Sequence, residues 1–136
     1  QFRLLNNGSE LEIFGGLEVG SEILLAEQLK LHPDVQVLHL HSIGGRVLAA
    51  QRMMDVVRRY DLDTYVRTDC SSSCTLLFLA GKNKLLGNGA KLRFHAASIG
   101  SASGHNVREI GQKLEDAYLA EGVPKWFVNK VTRIGY

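Results

Sequence analysis

Three serines and two cysteines lie together in residues 69–75, Asp-Cys-Ser-Ser-Ser-Cys-Thr. The apolar residues 76–81 follow directly and predict a buried helix. Backbone N–H groups at the start of a helix lack intrahelical partners, and the helix dipole is positive there. Hydroxyl side chains at such a place suit the stabilisation of an oxyanion. The stretch therefore predicts a site for nucleophilic attack by a serine.

Two features elsewhere in the chain could complete such a site. Gly44-Gly45 follows an apolar strand, and glycine allows close backbone approach and a positive φ, so a turn there can expose an N–H. His95 ends a short strand and could accept the proton of a serine hydroxyl. With Ser72 as nucleophile and the Ser73 N–H as a second oxyanion donor, these residue types are those of acyl transfer. A plain turn, a helix cap and a structural histidine are the alternative interpretations.

The order of these segments resembles the ClpP/crotonase-fold superfamily, and in particular its ClpP-like serine proteases. Residues 41–47, His-Ser-Ile-Gly-Gly-Arg-Val, are similar to the family's strand-end Asn-Ser-Pro-Gly-Gly-x-Val. Residues 71–74 and the apolar segment after them look like its Ala-Ser-Met-Gly nucleophile turn and helix. Residues 90–95 look like its strand that ends in the catalytic histidine. The resemblance runs from about residue 11 to residue 131, and it is greatest to a bacterial extracytoplasmic branch with a Cys-x-Ser-x-Cys-Thr turn.

The resemblance implies a role for each matching residue. Ser72 becomes the nucleophile of a serine peptidase, and His95 becomes its general base. The backbone N–H of Ser73 and the Gly44-Gly45 turn form the oxyanion hole, with Gly45 as the favoured glycine donor.

The resemblance also implies the substrate class. Ile99, Gly100 and Ser101 take the place of the family's substrate-pairing segment. An extended peptide would pair with this segment by strand addition, through backbone hydrogen bonds. The expected partner is therefore a peptide or protein substrate, and neither a cofactor nor a metal is implied.

Three positions depart from the family pattern. Ile43 stands where the family has proline, which makes the turn less rigid. His41 stands where asparagine is common, and a structural hydrogen bond is its expected role. The family's third triad residue, an aspartate, has no counterpart, since no acid follows Glu121. Asp116 in mid-helix and Asn129, whose amide could orient an imidazole, are the candidates within the chain, and the alternative is that the chain ends before that residue.

Four neighbours of Ser72 compete with it as nucleophile. A shift of one residue in the alignment selects Ser71 or Ser73 instead. Cys74 is expected to point away from the site, and Cys70 to lie buried behind the turn. Two free, half-buried thiols are the favoured interpretation of the cysteines. A short disulfide is the alternative, because i and i+4 Cα atoms lie about 6 Å apart on a helix, and it would require an oxidising compartment.

Strands and helices alternate along the chain, which predicts βαβ units and a mainly parallel sheet flanked by helices. The resemblance makes this α/β fold ClpP/crotonase-like, with repeated ββα units. Strands are expected at residues 11–17, 35–41, 62–66, 84–86 and 91–95, and helices at 21–31, 47–60, 72–80, 106–120 and 124–131. The three candidate segments all follow strands, and ligands of parallel sheets bind at the carboxyl ends of strands.

The length of 136 residues predicts one domain, and the start at Gln1 predicts that it belongs to a longer chain. An apolar fraction of 45% is enough for a hydrophobic core, in which Trp126 and Phe127 are expected to lie. The net charge is +2 with basic residues spread along the chain, so no nucleic-acid partner is expected. No apolar run reaches the roughly 18 residues that span a bilayer, so membrane association would need a segment outside this sequence.

The resemblance further implies a homo-oligomer and a periplasmic or extracytoplasmic location, with a cytoplasmic location as the alternative. Two other functions stay open. A crotonase-type acyl-CoA enzyme would use the same oxyanion geometry, although its carboxylates are matched here by Asp69 alone and the chain is short for that family. A non-catalytic interaction domain that keeps the fold is favoured by the absent third acid and opposed by the presence of both Ser72 and His95.

Overall fold

The structure, a computed structural model, describes residues 1–94 and 104–131. Contacts within the chain divide it into two units, Gln1–Arg93 and Phe94–Tyr136. The strands are β1 (Phe2–Leu5), β2 (Glu10–Leu17), β3 (Val37–Gly45), β4 (Asp63–Val66), β5 (Asp69–Ser71), β6 (Lys84–Leu86) and β7 (Lys91–Arg93). The helices are α1 (Ser21–Leu31), α2 (Val47–Arg59), α3 (Cys74–Leu79), α4 (Gly104–Ala120) and α5 (Lys125–Val131).

The first unit is built on a five-stranded sheet in the order β1-β2-β3-β4-β6. β1 pairs with β2 in antiparallel orientation, and the other three pairs are parallel. Leu11 and Ile13 of β2 and Leu38 and Leu40 of β3 alternate with more exposed residues and are buried in the core. The predicted α/β class, with a mainly parallel sheet flanked by helices, is confirmed.

β3 is longer than the strand predicted at residues 35–41. It continues through Gly44 and Gly45, which pair with Gly16 and Leu17 of β2. This pairing requires glycine, because a Cβ added to Gly45 would lie 2.0 Å from the Leu17 carbonyl oxygen. The two glycines therefore form the end of the strand, where a separate turn was expected.

The helices of the first unit supply much of its core. α1 packs against α2, and Met53, Val56 and Val57 of α2 are buried. α3 is shorter than the helix predicted at residues 72–80, because residues 72 and 73 form a turn before it, and its residues 74–78 are buried. No helix within the described ranges combines the length and the apolar character that crossing a membrane requires.

A second, two-stranded sheet joins β5 to β7. The pairing is parallel, with Asp69 opposite Lys91 and Ser71 opposite Arg93. β7 ends at Arg93, two residues earlier than predicted. The sheet therefore holds the residue before Ser72 beside the strand that precedes His95 in the sequence.

The second unit contains α4 and α5. Tyr118 of α4 and Val128 of α5 are buried. The ring of Phe94 packs 5.7 Å from that of Tyr118 and 5.1 Å from that of Phe127, measured between centroids. Trp126, by contrast, is 69% exposed, so the expectation that it lies in the core is wrong. Phe127 and Trp126 are adjacent on α5 and point in different directions, because successive helical residues are about 100° apart.

Candidate active site

Ser72 occupies a strained turn between β5 and α3. Its φ is 57°, in the left-handed region that non-glycine residues seldom adopt. Its N–H donates to the carbonyl oxygen of Arg93 in β7 at 2.8 Å. Its carbonyl oxygen accepts the N–H of Thr75 at 2.9 Å and the Thr75 hydroxyl at 2.6 Å. The backbone of Ser72 is thus fixed from both sides, while its side chain remains half-buried.

Gly44, at the end of β3, lies directly against this turn. Its φ is +92°, which favours glycine. A Cβ at this position would lie 2.7 Å from the Ser71 carbonyl oxygen, 2.8 Å from the Ser72 Cβ and 3.0 Å from the Ser73 nitrogen. Two of the three predicted segments are therefore brought together, with backbone of the glycine segment in contact with the serine turn.

The glycine N–H groups both donate to serine hydroxyls. The Gly44 N–H donates to Ser42 Oγ at 3.0 Å, and that hydroxyl donates in turn to the Gly15 carbonyl oxygen in β2. The Gly45 N–H donates to Ser73 Oγ at 2.9 Å, and this hydroxyl donates to the Gly45 carbonyl oxygen at 3.0 Å. The Ser73 N–H donates to no acceptor within residues 1–94 and 104–131.

Sequence reasoning missed the roles of these two hydroxyls. For Ser42 a local signal exists, because a serine side chain commonly accepts an N–H from two residues further on. For Ser73 the bonded partner is 28 positions away, so no local pattern indicates it.

Cys70 and Cys74 form a disulfide, so the favoured interpretation of two free thiols is wrong. The bond is possible because the turn brings the end of β5 and the start of α3 together, with a Cα–Cα distance of 5.5 Å. Both residues are fully buried, as expected for Cys70. A disulfide sulfur is not a thiolate, which removes both cysteines as rival nucleophiles.

The remaining rivals are the two serines beside Ser72. Ser73 is fully buried, and its hydroxyl is engaged with Gly45. Ser71 belongs to β5 and pairs with Arg93. Ser72 alone of the three combines a left-handed φ with a place in the turn itself.

Four of the predicted site residues lie outside the described residues. These are His95 and the proposed substrate-pairing residues Ile99, Gly100 and Ser101.

The accessory candidates have the following contacts. His41 is exposed, and its Nδ1 lies 3.2 Å from the Thr68 hydroxyl, which is the structural hydrogen bond expected of it. Asp116 is exposed on α4 and accepts a hydrogen bond from Gln112 Nε2 at 2.8 Å, in agreement with a solvated role. Asn129 lies half-buried on α5. Within the described part of the chain, no group of three histidine, cysteine or acidic side chains could hold a metal ion.

Comparison with known proteins finds a similar fold, although neither the family models nor the curated sequences match. No protein-family model matches this sequence. No curated protein matches it either. Among solved structures, ClpP1 from Listeria monocytogenes is similar with a TM-score of 0.76 at 14% sequence identity. The match covers 96% of this chain and 82% of that one. Likeness at this level of identity concerns the fold, and the chain has a ClpP-like fold.

Proposed function

We propose that this chain is a serine peptidase that hydrolyses extended peptides, with Ser72 as its nucleophile. The observation that carries the proposal is the left-handed Ser72, at φ 57°, in a strand-to-helix turn packed against Gly44. A non-glycine residue in such a conformation costs about 1–3 kcal/mol and persists where surrounding contacts impose it, often at catalytic sites. A serine on a strained strand-to-helix turn is also the device by which other hydrolases expose a nucleophile.

In the proposed reaction, Ser72 Oγ attacks the scissile carbonyl carbon while His95 accepts the hydroxyl proton. The Ser73 N–H stabilises the oxyanion of the tetrahedral intermediate, and the Gly44 or Gly45 N–H contributes when it exchanges its serine hydroxyl for that oxyanion. His95 then gives the proton to the leaving amine, and an acyl ester remains on Ser72. Water, deprotonated by His95, hydrolyses the ester and restores the serine hydroxyl.

The register of the small sheet supports His95 as the base. Ser71 pairs with Arg93, and the Ser72 N–H donates to the Arg93 carbonyl oxygen. His95 follows two residues later, and two residues of backbone span at most about 7 Å. This short connection in the chain is the support for His95 as the proposed base.

The disulfide supports an extracytoplasmic location for this peptidase. Cys70 and Cys74 account for both cysteines of the chain, and disulfides persist mainly in oxidising compartments such as the bacterial periplasm.

We also propose a homo-oligomer, on the strength of the motif resemblance together with the ClpP-like fold. Sedimentation velocity over a range of concentrations tests this, and a monomer at all of them contradicts it.

A fluorophosphonate probe tests the nucleophile, because it reacts covalently with activated serine hydroxyls. We expect the wild-type protein to be labelled at Ser72 and the Ser72→Ala variant to remain unlabelled. Ser71→Ala is the matched control and should keep its labelling, since it removes the neighbouring hydroxyl of β5. His95→Ala should slow labelling strongly. Equal labelling of wild type and Ser72→Ala would contradict the assignment.

A domain that keeps the fold without catalysing is the second candidate. It is favoured by the hydrogen bonds from the Gly44 and Gly45 N–H groups to serine hydroxyls, because neither N–H then points at a substrate. A wild-type protein that no fluorophosphonate labels, and that cleaves no unfolded polypeptide, would favour this candidate.

A further inference from the structure

The hydroxyl of Ser73 is the only side-chain group among the described residues that hydrogen-bonds the glycine segment to the serine turn. Ser73 is fully buried. Its Oγ accepts the Gly45 N–H at 2.9 Å and donates to the Gly45 carbonyl oxygen at 3.0 Å. A hydroxyl has one hydrogen to donate and two lone pairs that can accept. The Ser73 hydroxyl uses its hydrogen and one lone pair on the same residue, Gly45.

The two ends of the glycine segment are held in different ways. Ser42 fixes Gly44 to β2, which belongs to the same sheet as β3. Ser73 fixes Gly45 to the turn that carries Ser72. The first contact sets the shape of the strand end, whereas the second sets its distance from the nucleophile.

The distance between Gly44 and the serine turn matters because the atoms around Gly44 leave no room for a Cβ. The Ser71 carbonyl oxygen and Ser72 Cβ already crowd the place where its Cβ would be, at 2.7 Å and 2.8 Å. A small movement of Gly45 therefore changes the spacing between the glycine segment and Ser72. Misplacement of reacting groups by about 1 Å can cost on the order of 100-fold in rate.

We propose that the buried Ser73 hydroxyl is a positioning residue that sets the register of the Gly44-Gly45 segment against the Ser72 turn. The hydroxyl touches no substrate and acts through the backbone of Gly45, separately from the Ser73 N–H, which is proposed as an oxyanion donor. The inference rests on the proposed serine-peptidase function and adds a specific side chain to it.

The test compares Ser73→Ala with a matched control, Thr64→Val. Thr64 is also fully buried, and its hydroxyl donates to the Phe78 carbonyl oxygen at 2.7 Å, so each variant loses one buried hydroxyl with its bonds to backbone. Labelling by a fluorophosphonate is measured as a maximal rate and a probe affinity. We expect Ser73→Ala to lower the maximal rate about 10- to 100-fold with unchanged affinity, while Thr64→Val keeps both.

Hydrogen exchange of the Gly45 amide gives a second measurement that does not depend on activity. The amide should be protected in the wild type and in Thr64→Val, and should exchange faster in Ser73→Ala. An unprotected Gly45 amide in the wild type overturns the inference without any variant, including the case in which Ser73→Ala does not fold.

The outcomes separate this inference from the function on which it rests. Labelled wild type with an unchanged rate in Ser73→Ala overturns the positioning role alone. A faster rate in Ser73→Ala also overturns it, because the hydroxyl would then be withholding the Gly45 N–H from the substrate. Wild type that is never labelled overturns the proposed function and the positioning role together.

Discussion

At the scale of single residues, the candidate site depends on two glycines, whose lack of a side chain allows close contacts between backbones. Gly44 allows the end of β3 to touch the serine turn, and Gly45 allows it to touch β2. A larger residue at either position would separate segments that the proposed chemistry needs in contact. Ser72 represents the opposite case, since it has a side chain where the φ of 57° favours glycine.

Gly44→Ala tests the contact, with Gly89→Ala as its control. Both glycines have positive φ, at +92° and +75°, but a Cβ on Gly89 meets nothing within 4 Å. The control therefore measures backbone strain by itself, about 1–2 kcal/mol of unfolding free energy. Gly44→Ala should lose more stability than Gly89→Ala in chemical denaturation, and should lose fluorophosphonate labelling as well. Equal stability and equal labelling in the two variants would show that Gly44 does not touch the turn.

At the scale of elements, β5, the serine turn and α3 form one tightly connected segment. The Cys70–Cys74 disulfide closes it covalently, and the Thr75 N–H and hydroxyl both bond the Ser72 carbonyl oxygen. α3 spans six residues, Cys74–Leu79, so a helix dipole contributes little at Ser72. Local hydrogen bonds and the disulfide thus hold the turn in place, and the dipole expected of a helix over residues 72–80 is reduced.

Removal of the disulfide should cost stability. The bond spans a sequence separation of 4, and closing so short a loop restricts the unfolded chain by about 2 kcal/mol. The double variant Cys70→Ala, Cys74→Ala should therefore show a lower denaturant midpoint than the oxidised wild type. A thiol reductant should lower the midpoint of the wild type and leave that of the double variant unchanged. A reductant effect of equal size on both proteins would contradict a stabilising disulfide.

At the scale of the whole molecule, a contact between the side chains of Glu10 and His39 links β2 to β3 in the main sheet. His39 Nε2 pairs with Glu10 Oε1, and the Asn6 side chain also donates to Glu10. The His39 hydrogen bond is the largest cause of a lowered pKa for the Glu10 carboxyl, the Asn6 hydrogen bond and the charge of His39 add to it, and partial burial opposes it. The ring of His39 also packs edge-on against Tyr65 of β4, 4.9 Å between centroids.

This contact predicts a pH dependence of global stability. Because the pKa of Glu10 is lower in the folded state than in the unfolded chain, its contribution is present above the unfolded pKa and is lost as pH falls through the folded value. Glu10→Gln should therefore be less stable than wild type near neutral pH. The difference should shrink as pH drops below the ordinary glutamate pKa and through the lowered pKa of Glu10. Denaturation curves at several pH values check this, and a constant difference between the two proteins would contradict it.

The sequence predicts the helices and five of the seven described strands, because hydrophobic periodicity is local, but it does not predict β1 or β5. The strand ends also explain why Gly44 and Ser72 could be expected to meet, since Gly44 belongs to the end of β3 and Ser72 directly follows β5.

The exposure of Trp126 was not predictable, since it depends on which face of α5 packs against the rest of its unit. The extension of β3 was not predictable either, since it depends on how closely β2 approaches the two glycines. The i, i+4 spacing of Cys70 and Cys74 allows a disulfide without requiring one. The contact between Ser73 and Gly45 joins residues 28 positions apart, which no local spacing rule connects.

The hydrogen bond from the Ser72 N–H to Arg93 also has a consequence for the order of synthesis. β5 and the serine turn leave the ribosome before β7, which supplies the acceptor. A nascent chain that ends before Arg93 lacks the contact that fixes the Ser72 backbone from its β7 side, and it also lacks His95, the proposed base. The turn around Ser72 is thus completed only after the later strand has been made and paired, and under the proposed function this delays the nucleophile until that point.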